Sequence, residues 1–176
     1  MQPVVHLAVG YLCYAAYTRW SLGRQPADVP ALVAVFAAGL ADLIDKPLHA
    51  AGVVPVGRTI GHSLLFAIPL VLFVWLVASR RDRPILGVAF AIGYLSHIAT
   101  DVPWHLISGD FDELGFLLWP ITDMPAYTGV KPLGTVTGVE VTTLWLEAVI
   151  LVAGIVLWWV DGRPGVGAIR RALGAR

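Results

Sequence analysis

The segment that decides our interpretation of this chain is GYLSHIATDVPW, residues 93–104. It runs from an apolar helical pattern into His97 and Asp101, four residues apart, and Pro103 is predicted to end the helix. Because positions i and i+4 lie on one face of a helix, the imidazole and the carboxylate point the same way. Both are metal-ligand types, so the segment predicts either a metal site or a histidine–aspartate hydrogen bond that joins two helices.

The composition around this segment is that of a membrane protein. Of the 176 residues, 57% are hydrophobic and 14% are charged, whereas soluble domains carry about 25% charged residues. The formal net charge is zero, so bulk charge gives no argument for nucleic acid as a partner. We predict a single transmembrane domain over residues 1–176, with the bilayer among its partners and no nucleic acid.

Five apolar segments approach the length of about 20 residues that a helix needs to cross a bilayer. They predict an all-α fold, an integral membrane bundle of about five transmembrane helices. A shorter apolar run, 114–121, lies in the long connection 102–140 and predicts a re-entrant or interfacial segment between helices four and five. The five segments are residues 3–20, 29–44, 61–78, 84–100 and 141–160.

The basic residues predict the orientation of these five helices. Nine arginines fall on one side of the bundle and three basic residues on the other, and basic residues concentrate in cytoplasmic loops. We therefore predict a multi-pass protein of the plasma (inner) membrane with its N-terminus outside and its C-terminus in the cytoplasm. The cytoplasmic set is Arg19, Arg24, Arg80, Arg81, Arg83, Arg163, Arg170, Arg171 and Arg176, and the outer set is Lys46, Arg58 and Lys131.

Potential metal ligands fall on the predicted outer side, although they were not used to set the orientation. All five histidines and nine of the twelve acidic residues lie there. A charged side chain costs about 2.5–3.5 kcal/mol at the bilayer centre, so several carboxylates at one depth favour a shared cation. The residues that converge are His6 at the start of helix one, Asp42 and Asp45 at the end of helix two, Arg58 and His62 opening helix three, and His97 with Asp101 closing helix four.

This donor set predicts a divalent metal. Three imidazoles and three carboxylates suffice for one or two ions and leave positions open for water and substrate. Nitrogen and oxygen ligands without thiolate suit Zn2+, which we place first, and also Mn2+ or Fe2+. Additional candidate ligands are His105, Glu140 and Glu147, whereas we take His49 as incidental.

Three motifs resemble the membrane-bound metal-dependent hydrolase family, the YdjM-like, LexA-regulated inner-membrane hydrolases. They are ADLIDKP (41–47), RTIGHS (58–63) and GYLSHIATD (93–101), preceded by an early histidine. That family is distantly similar to zinc-dependent phospholipase C and P1 nuclease, all-helical enzymes with clustered zinc ions. The chain departs from the family pattern at Gly57 and Gly61. The resemblance implies a hydrolase whose metal ligands are His6, Asp45, His62, His97 and Asp101.

The sequence thus predicts a membrane-embedded metal-dependent hydrolase, phospholipase C-like. A metal-activated water would cleave a phosphoester, or another ester, of a lipid or lipid-linked substrate at the outer membrane face. Asp101 would bridge two ions, Arg58 would stabilise anionic charge, and Asp42 would be a ligand or would orient one. The alternatives are a transporter that uses the His/Asp cluster as a relay and a non-catalytic protein stabilised by metal. Residue types alone leave these classes, the substrate and the oligomeric state open.

Overall fold

The computed structural model describes residues 2–108, 111–125, 135–136, 139–140 and 144–174, without the side chains of residues 103–108, 135–136 and 139–140. These residues form six α-helices, one 3-10 helix and a two-residue antiparallel ladder, so the predicted helical fold is confirmed. The elements are α1 (Pro3–Leu22), α2 (Asp28–Ala50), α3 (Leu64–Arg80), α4 (Pro84–Ser108), the 3-10 helix (Phe111–Leu118), β1 (Thr135–Val136), β2 (Val139–Glu140), α5 (Leu144–Val160) and α6 (Val166–Ala172).

Helix α4 is the centre of the bundle and contacts α1, α2, α3 and the 3-10 helix. It approaches α2 closely because the residues of the two helices that face each other are small. A Cβ added to Gly93 would lie 2.1 Å from the carbonyl oxygen of Ala34. Helix α2 therefore presents an inner face of alanines, as close helix packing in membranes requires. This alanine face consists of Ala31, Ala34, Ala37, Ala38 and Ala41, each at most 2% exposed.

The large apolar side chains lie on the outside of the bundle, mainly on α3 and α5. Phe73 of α3 and Trp159 of α5 are each 64% exposed. The interior, in contrast, holds several histidine and aspartate side chains that are almost completely buried. Because water-soluble proteins bury large apolar residues and expose charged ones, this distribution is typical of a bundle whose outer surface meets lipid.

One helix in the described part of the chain, Pro84–Val102, is both long and apolar enough to cross a membrane by itself. Leu64–Arg80 and Leu144–Val160 are apolar but shorter. The bundle of five spans therefore remains a prediction. The predicted re-entrant or interfacial run 114–121 lies partly in the 3-10 helix, which contacts α3 and α4.

Two helices extend beyond the apolar runs from which they were predicted. Helix α2 continues through Pro47 to Ala50, and α4 continues through Pro103 to Ser108. The prediction that the helix ends at Pro103 is therefore wrong. A proline removes one backbone hydrogen bond, and a helix tolerates it most easily near one of its ends. Hydropathy indicates only where an apolar run stops, and the helix itself continues beyond that point.

Helix α3 begins later than predicted. Ser63 is its N-cap, and the Ser63 hydroxyl oxygen accepts a hydrogen bond from the backbone N–H of Leu65 at 3.2 Å. Arg58 and His62 consequently lie in the loop 51–63 that precedes α3, and not in the first turn of the helix. This loop returns to the bundle, where the Tyr94 hydroxyl donates to the carbonyl oxygen of Gly61 at 2.7 Å.

Candidate metal centre

Histidine and aspartate side chains from three helices and the loop 51–63 meet at one end of the bundle. Two groups of three have ligand atoms that all lie within 4.8 Å of one another, and His97 belongs to both. The structure therefore brings together, in these two groups, five of the residues that the sequence predicted to converge. The groups are His6, Asp42 and His97, and His62, His97 and Asp101.

Two of the histidines are fixed through one ring nitrogen. Nδ1 of His62 donates to the Asp45 carboxylate at 2.7 Å, and Nδ1 of His97 donates to the carbonyl oxygen of Ala38 at 2.6 Å. We therefore assign the ring protons to Nδ1, which leaves a lone pair on each Nε2.

The two Nε2 atoms of His62 and His97 lie 3.0 Å apart. Facing lone pairs repel, and a cation bound by both nitrogens removes that repulsion. Nitrogen atoms on one tetrahedral zinc ion lie about 3.3 Å apart, given Zn–N distances of about 2.0–2.1 Å, so a small separation of the two rings would admit the ion. The donor set and its spacing therefore fit a divalent ion held by both histidines.

His6 joins this pair from the first turns of α1. Its Nδ1 lies 3.1 Å from the hydroxyl oxygen of Thr100, whose own proton is directed to the backbone carbonyl oxygens of Ser96 and His97, at 3.0 and 2.9 Å. The His6 ring stacks on the His97 ring with a centroid distance of 3.8 Å. The Nε2 atoms of all three histidines therefore face Asp101: the shortest distances to its carboxylate are 3.5 Å from His6, 3.6 Å from His62 and 3.9 Å from His97.

Asp101 is 1% exposed and is paired with Arg58. The guanidinium approaches the two carboxylate oxygens through Nε at 3.2 Å and Nη2 at 3.3 Å. This two-point contact fixes the orientation of the carboxylate. The predicted catalytic arginine therefore lies at the centre, where its charge offsets that of Asp101.

One carboxylate oxygen of Asp42 faces the histidine cluster, and the other accepts a hydrogen bond from a lysine. Its Oδ1 lies 3.8 Å from Nε2 of His62 and 4.0 Å from Nε2 of His97. Its Oδ2 accepts from Nζ of Lys46 at 2.7 Å. The Asp42 side chain is 12% exposed, so this carboxylate lies where the cluster meets solvent.

Asp45, which the resemblance implied as a ligand, belongs to neither group of three. Its carboxylate accepts hydrogen bonds from the backbone N–H groups of Thr59 at 2.7 Å, Gly61 at 2.9 Å and His62 at 3.2 Å, in addition to the His62 ring. Asp45 thus holds the loop 51–63 in place through these hydrogen bonds and orients the His62 ring. Gly61 is required there, because an added Cβ would lie 2.6 Å from the carbonyl oxygen of Ala41.

Of the three additional candidates, Glu147 is the one whose side chain lies in the described part of the structure. The side chains of His105 and Glu140 lie outside the described part of the structure. Glu147 is 3% exposed, accepts from the backbone N–H of Gln2 at 3.0 Å and belongs to neither group.

Sequence reasoning missed the groups that position the histidines. Thr100 could have been found, because it lies three residues after His97 and therefore on nearly the same helix face. Ala38 could not, because it acts through its backbone carbonyl. Phe116 of the 3-10 helix meets the His62 ring edge-on, with a centroid distance of 6.1 Å, and closes one side of the centre.

Apolar outer faces and a buried histidine–aspartate cluster define this chain as a helical membrane protein with a candidate metal site at one end. The chain belongs to the YdjM inner membrane protein family, whose sequence profile matches residues 1–165. The resemblance to the YdjM-like inner membrane proteins is thus confirmed, whereas the metal-dependent hydrolase activity that it implied stays a prediction. No curated protein and no solved structure matches the chain. The similarity to phospholipase C and P1 nuclease therefore stays a prediction.

Proposed function

We propose that this protein is a membrane-embedded metal-dependent hydrolase that cleaves a phosphoester of a lipid-borne substrate. The observation that carries the proposal is the cluster in which the Nε2 atoms of three histidines converge on Asp101 and Asp42. The cluster is buried but reaches solvent at Asp42 and Arg58, whose side chains are 12% and 18% exposed. A centre with this access is open to a substrate.

The chain's own residues would hold and orient the ion. A bound divalent ion would lower the pKa of a water toward about 7 and so supply a nucleophile at neutral pH. His62 and His97 would bind it through Nε2, with Asp101 beside them. Asp45 and the Ala38 carbonyl hold the opposite ring nitrogens, as acceptors do behind metal-binding histidines.

The charge around the opening favours an anionic substrate. Lys46, with a side chain that is 49% exposed, and Arg58 both lie at the solvent side of the cluster. Two cations at this position would attract a phosphate group and offset negative charge that develops on its oxygens. This supports a phosphoester ahead of a carboxylester or an amide.

The proposed setting is a multi-pass bundle in which α1 to α5 cross the membrane with the N-terminus outside. Helices α1, α2 and α4 have 20, 23 and 25 residues, enough for the hydrocarbon core of about 30 Å. The 17-residue helices α3 and α5 carry the most exposed apolar surface. The metal centre would then lie near the outer boundary, at the depth of lipid headgroups.

The test pairs metal analysis with a hydrolysis assay on detergent-purified protein. The His97→Ala and Asp101→Ala variants should lose both bound metal and headgroup release from phospholipid vesicles. His49→Ala is the matched control, because His49 contacts the carbonyl oxygen of Val54 and belongs to neither group of three. It should keep both properties.

The outcomes separate the proposal from its alternatives. Full hydrolysis by His97→Ala or Asp101→Ala would contradict the proposed mechanism. Stoichiometric metal in a wild-type protein that hydrolyses no phosphoester would favour a structural metal. Transport of a solute that survives chelation, from protein that purifies without metal, would favour the relay carrier.

A further inference from the structure

Two apolar crevices lie end to end on the bundle surface where α2 and α5 flank α1. The first has a volume of about 210 Å³ and runs past Leu7 and Gly154. The second has a volume of about 130 Å³ and reaches Ile169 of α6. Tyr11, Val35 and Trp158 line both crevices. They therefore form one narrow apolar groove, which we call the α2–α5 groove.

Two exposed arginines are next in the chain to residues that line the α6 end of this groove. Arg163 precedes Pro164, and Arg170 follows Ile169, both of which line the groove. The Arg163 guanidinium lies 4.9 Å from the centroid of the Trp159 ring. Neither Arg163 nor Arg170 forms an ion pair with an acidic side chain within the described ranges. The end of the groove is thus positively charged.

Helix α6 combines these arginines with exposed apolar residues. Ile169 of α6 is 47% exposed, and Leu173, the C-cap residue that directly follows the helix, is 77% exposed. The helix is fixed to the start of α2, because Asp28 accepts from the backbone N–H of Gly165 at 2.8 Å and from Arg171 at 3.0 Å. A fixed helix with apolar and basic groups side by side is typical of the membrane interface.

We propose that the α2–α5 groove and α6 bind one anionic phospholipid. An acyl chain fits the narrow apolar groove past Val35 and Trp158, and its phosphate meets Arg163 and Arg170. The cytoplasmic leaflet supplies anionic headgroups, which attract juxtamembrane arginines. The inference rests on the proposed membrane placement and orientation but not on hydrolysis. His6, at the metal centre, and Arg19, at the opposite end of the bundle, are 13 positions apart on α1. The two ends of the bundle are therefore about 20 Å apart. A lipid whose phosphate lies beside α6 is thus not the substrate of the metal centre.

The test is native mass spectrometry of the detergent-solubilised chain with dioleoyl phosphatidylglycerol or dioleoyl phosphatidylcholine. Phosphatidylglycerol should bind more tightly, and Arg163→Gln/Arg170→Gln should weaken it about fivefold for each arginine. Arg80→Gln/Arg83→Gln is the matched control, because these arginines are exposed but, unlike Arg163 and Arg170, are not next in the chain to a residue that lines the groove. Soluble glycerol phosphate should not compete, since it lacks the acyl chains.

A second variant tests the groove independently of charge. Val35→Phe fills the groove and should weaken both lipids while the preference for phosphatidylglycerol persists. Equal affinities of the wild-type protein for both lipids, equal losses in the two arginine pairs, or no effect of Val35→Phe would overturn the proposal. Metal content is measured on the same samples. Protein that binds phosphatidylglycerol selectively but holds no metal would refute only the proposed hydrolase.

Discussion

The carboxylates at the two ends of the helix bundle differ in how they are paired with cations. At the end opposite the metal centre, Asp161 is paired with Arg19 and accepts from the Tyr11 hydroxyl, and Asp28 is paired with Arg171. Each of these carboxylates has a cation of its own. These contacts join α1 to the end of α5 and α2 to α6, so matched charges fasten the elements to one another.

At the metal centre, carboxylates outnumber cationic side chains among the described residues. Asp42, Asp45 and Asp101 meet only two cationic side chains in the described part of the cluster, Lys46 and Arg58. Three Nε2 lone pairs converge on the same space. Matched pairs of charges hold a fold together, whereas a surplus of buried acceptors is costly until a cation joins them. The difference therefore distinguishes a structural end from a binding end.

The largest expected effect comes from the same substitution made at each end. Asp101→Asn removes a negative charge from the surplus and should reduce metal content and hydrolysis to background. Asp161→Asn should leave the metal content unchanged but lower the free energy of unfolding by about 1–3 kcal/mol, because Arg19 loses its counter-charge and one of the two donors, Tyr11 or Arg19, loses its acceptor oxygen. Elemental analysis and thermal unfolding of both variants provide the measurements. An Asp101→Asn protein with the metal content of the wild-type protein would contradict the distinction between a structural end and a binding end.

Asp45→Asn should have the next largest effect. The side chain keeps its shape but no longer fixes the Nδ1 proton of His62, so metal affinity should fall about 10- to 100-fold. Competition with a chromophoric chelator measures this affinity. Asp28→Asn, at the opposite end, serves as the control and should retain wild-type affinity. Unchanged affinity in Asp45→Asn would mean that the loop backbone alone orients His62.

Gly93→Ala tests whether the alanine face of α2 sets the geometry of the metal centre. The added Cβ meets the backbone of Ala34, so α4 must shift, at a cost of about 1–3 kcal/mol. The shift should also move His97 away from the Ala38 carbonyl and lower metal affinity. Gly39→Ala is the milder control, because its Cβ would meet only the flexible end of the Leu7 side chain, at 3.0 Å. Thermal unfolding and chelator competition should separate the two variants.

The smallest expected effect is the acid sensitivity of the α6 attachment. The hydrogen bond from the Gly165 N–H, together with Arg171, lowers the pKa of Asp28 below its ordinary value. Because the folded state favours the charged form, the contact stabilises fully above the ordinary pKa and is lost as pH falls through the lowered one. The protection of the α6 amides against exchange, relative to the intrinsic rate at the same pH, should therefore fall below about pH 4, by less than about fivefold for so exposed a pair. Asp28→Asn should remove this pH dependence.

Helical periodicity and the sidedness of charge predicted much of the candidate site. The spacing of His97 and Asp101 placed both on one face of α4, and the accumulation of histidines on one side predicted that His6 and His62 would join them. These inferences need only the helical repeat and the alternation of chain direction in a bundle. Both properties are visible in a single sequence.

The division of labour between Asp42 and Asp45 could not be predicted in this way. Both lie on α2, three residues apart, and periodicity gives them nearly the same direction. The fold of the loop 51–63 decides between them, because the N–H groups of Thr59 and Gly61 occupy Asp45 while Asp42 is left beside the histidines. Loop geometry of this kind depends on tertiary contacts that no local pattern encodes.

The alanine face of α2 has a consequence for how the protein tolerates change. Alanine side chains have no rotamers to lose, so three helices come together there with little loss of side-chain entropy. For the same reason the interface has no adjustable side chains that could absorb an added methyl group. A substitution along this face must be accommodated by displacement of whole helices. The mechanical stiffness of the bundle and the precision of its histidine cluster therefore have a common origin in its smallest side chains.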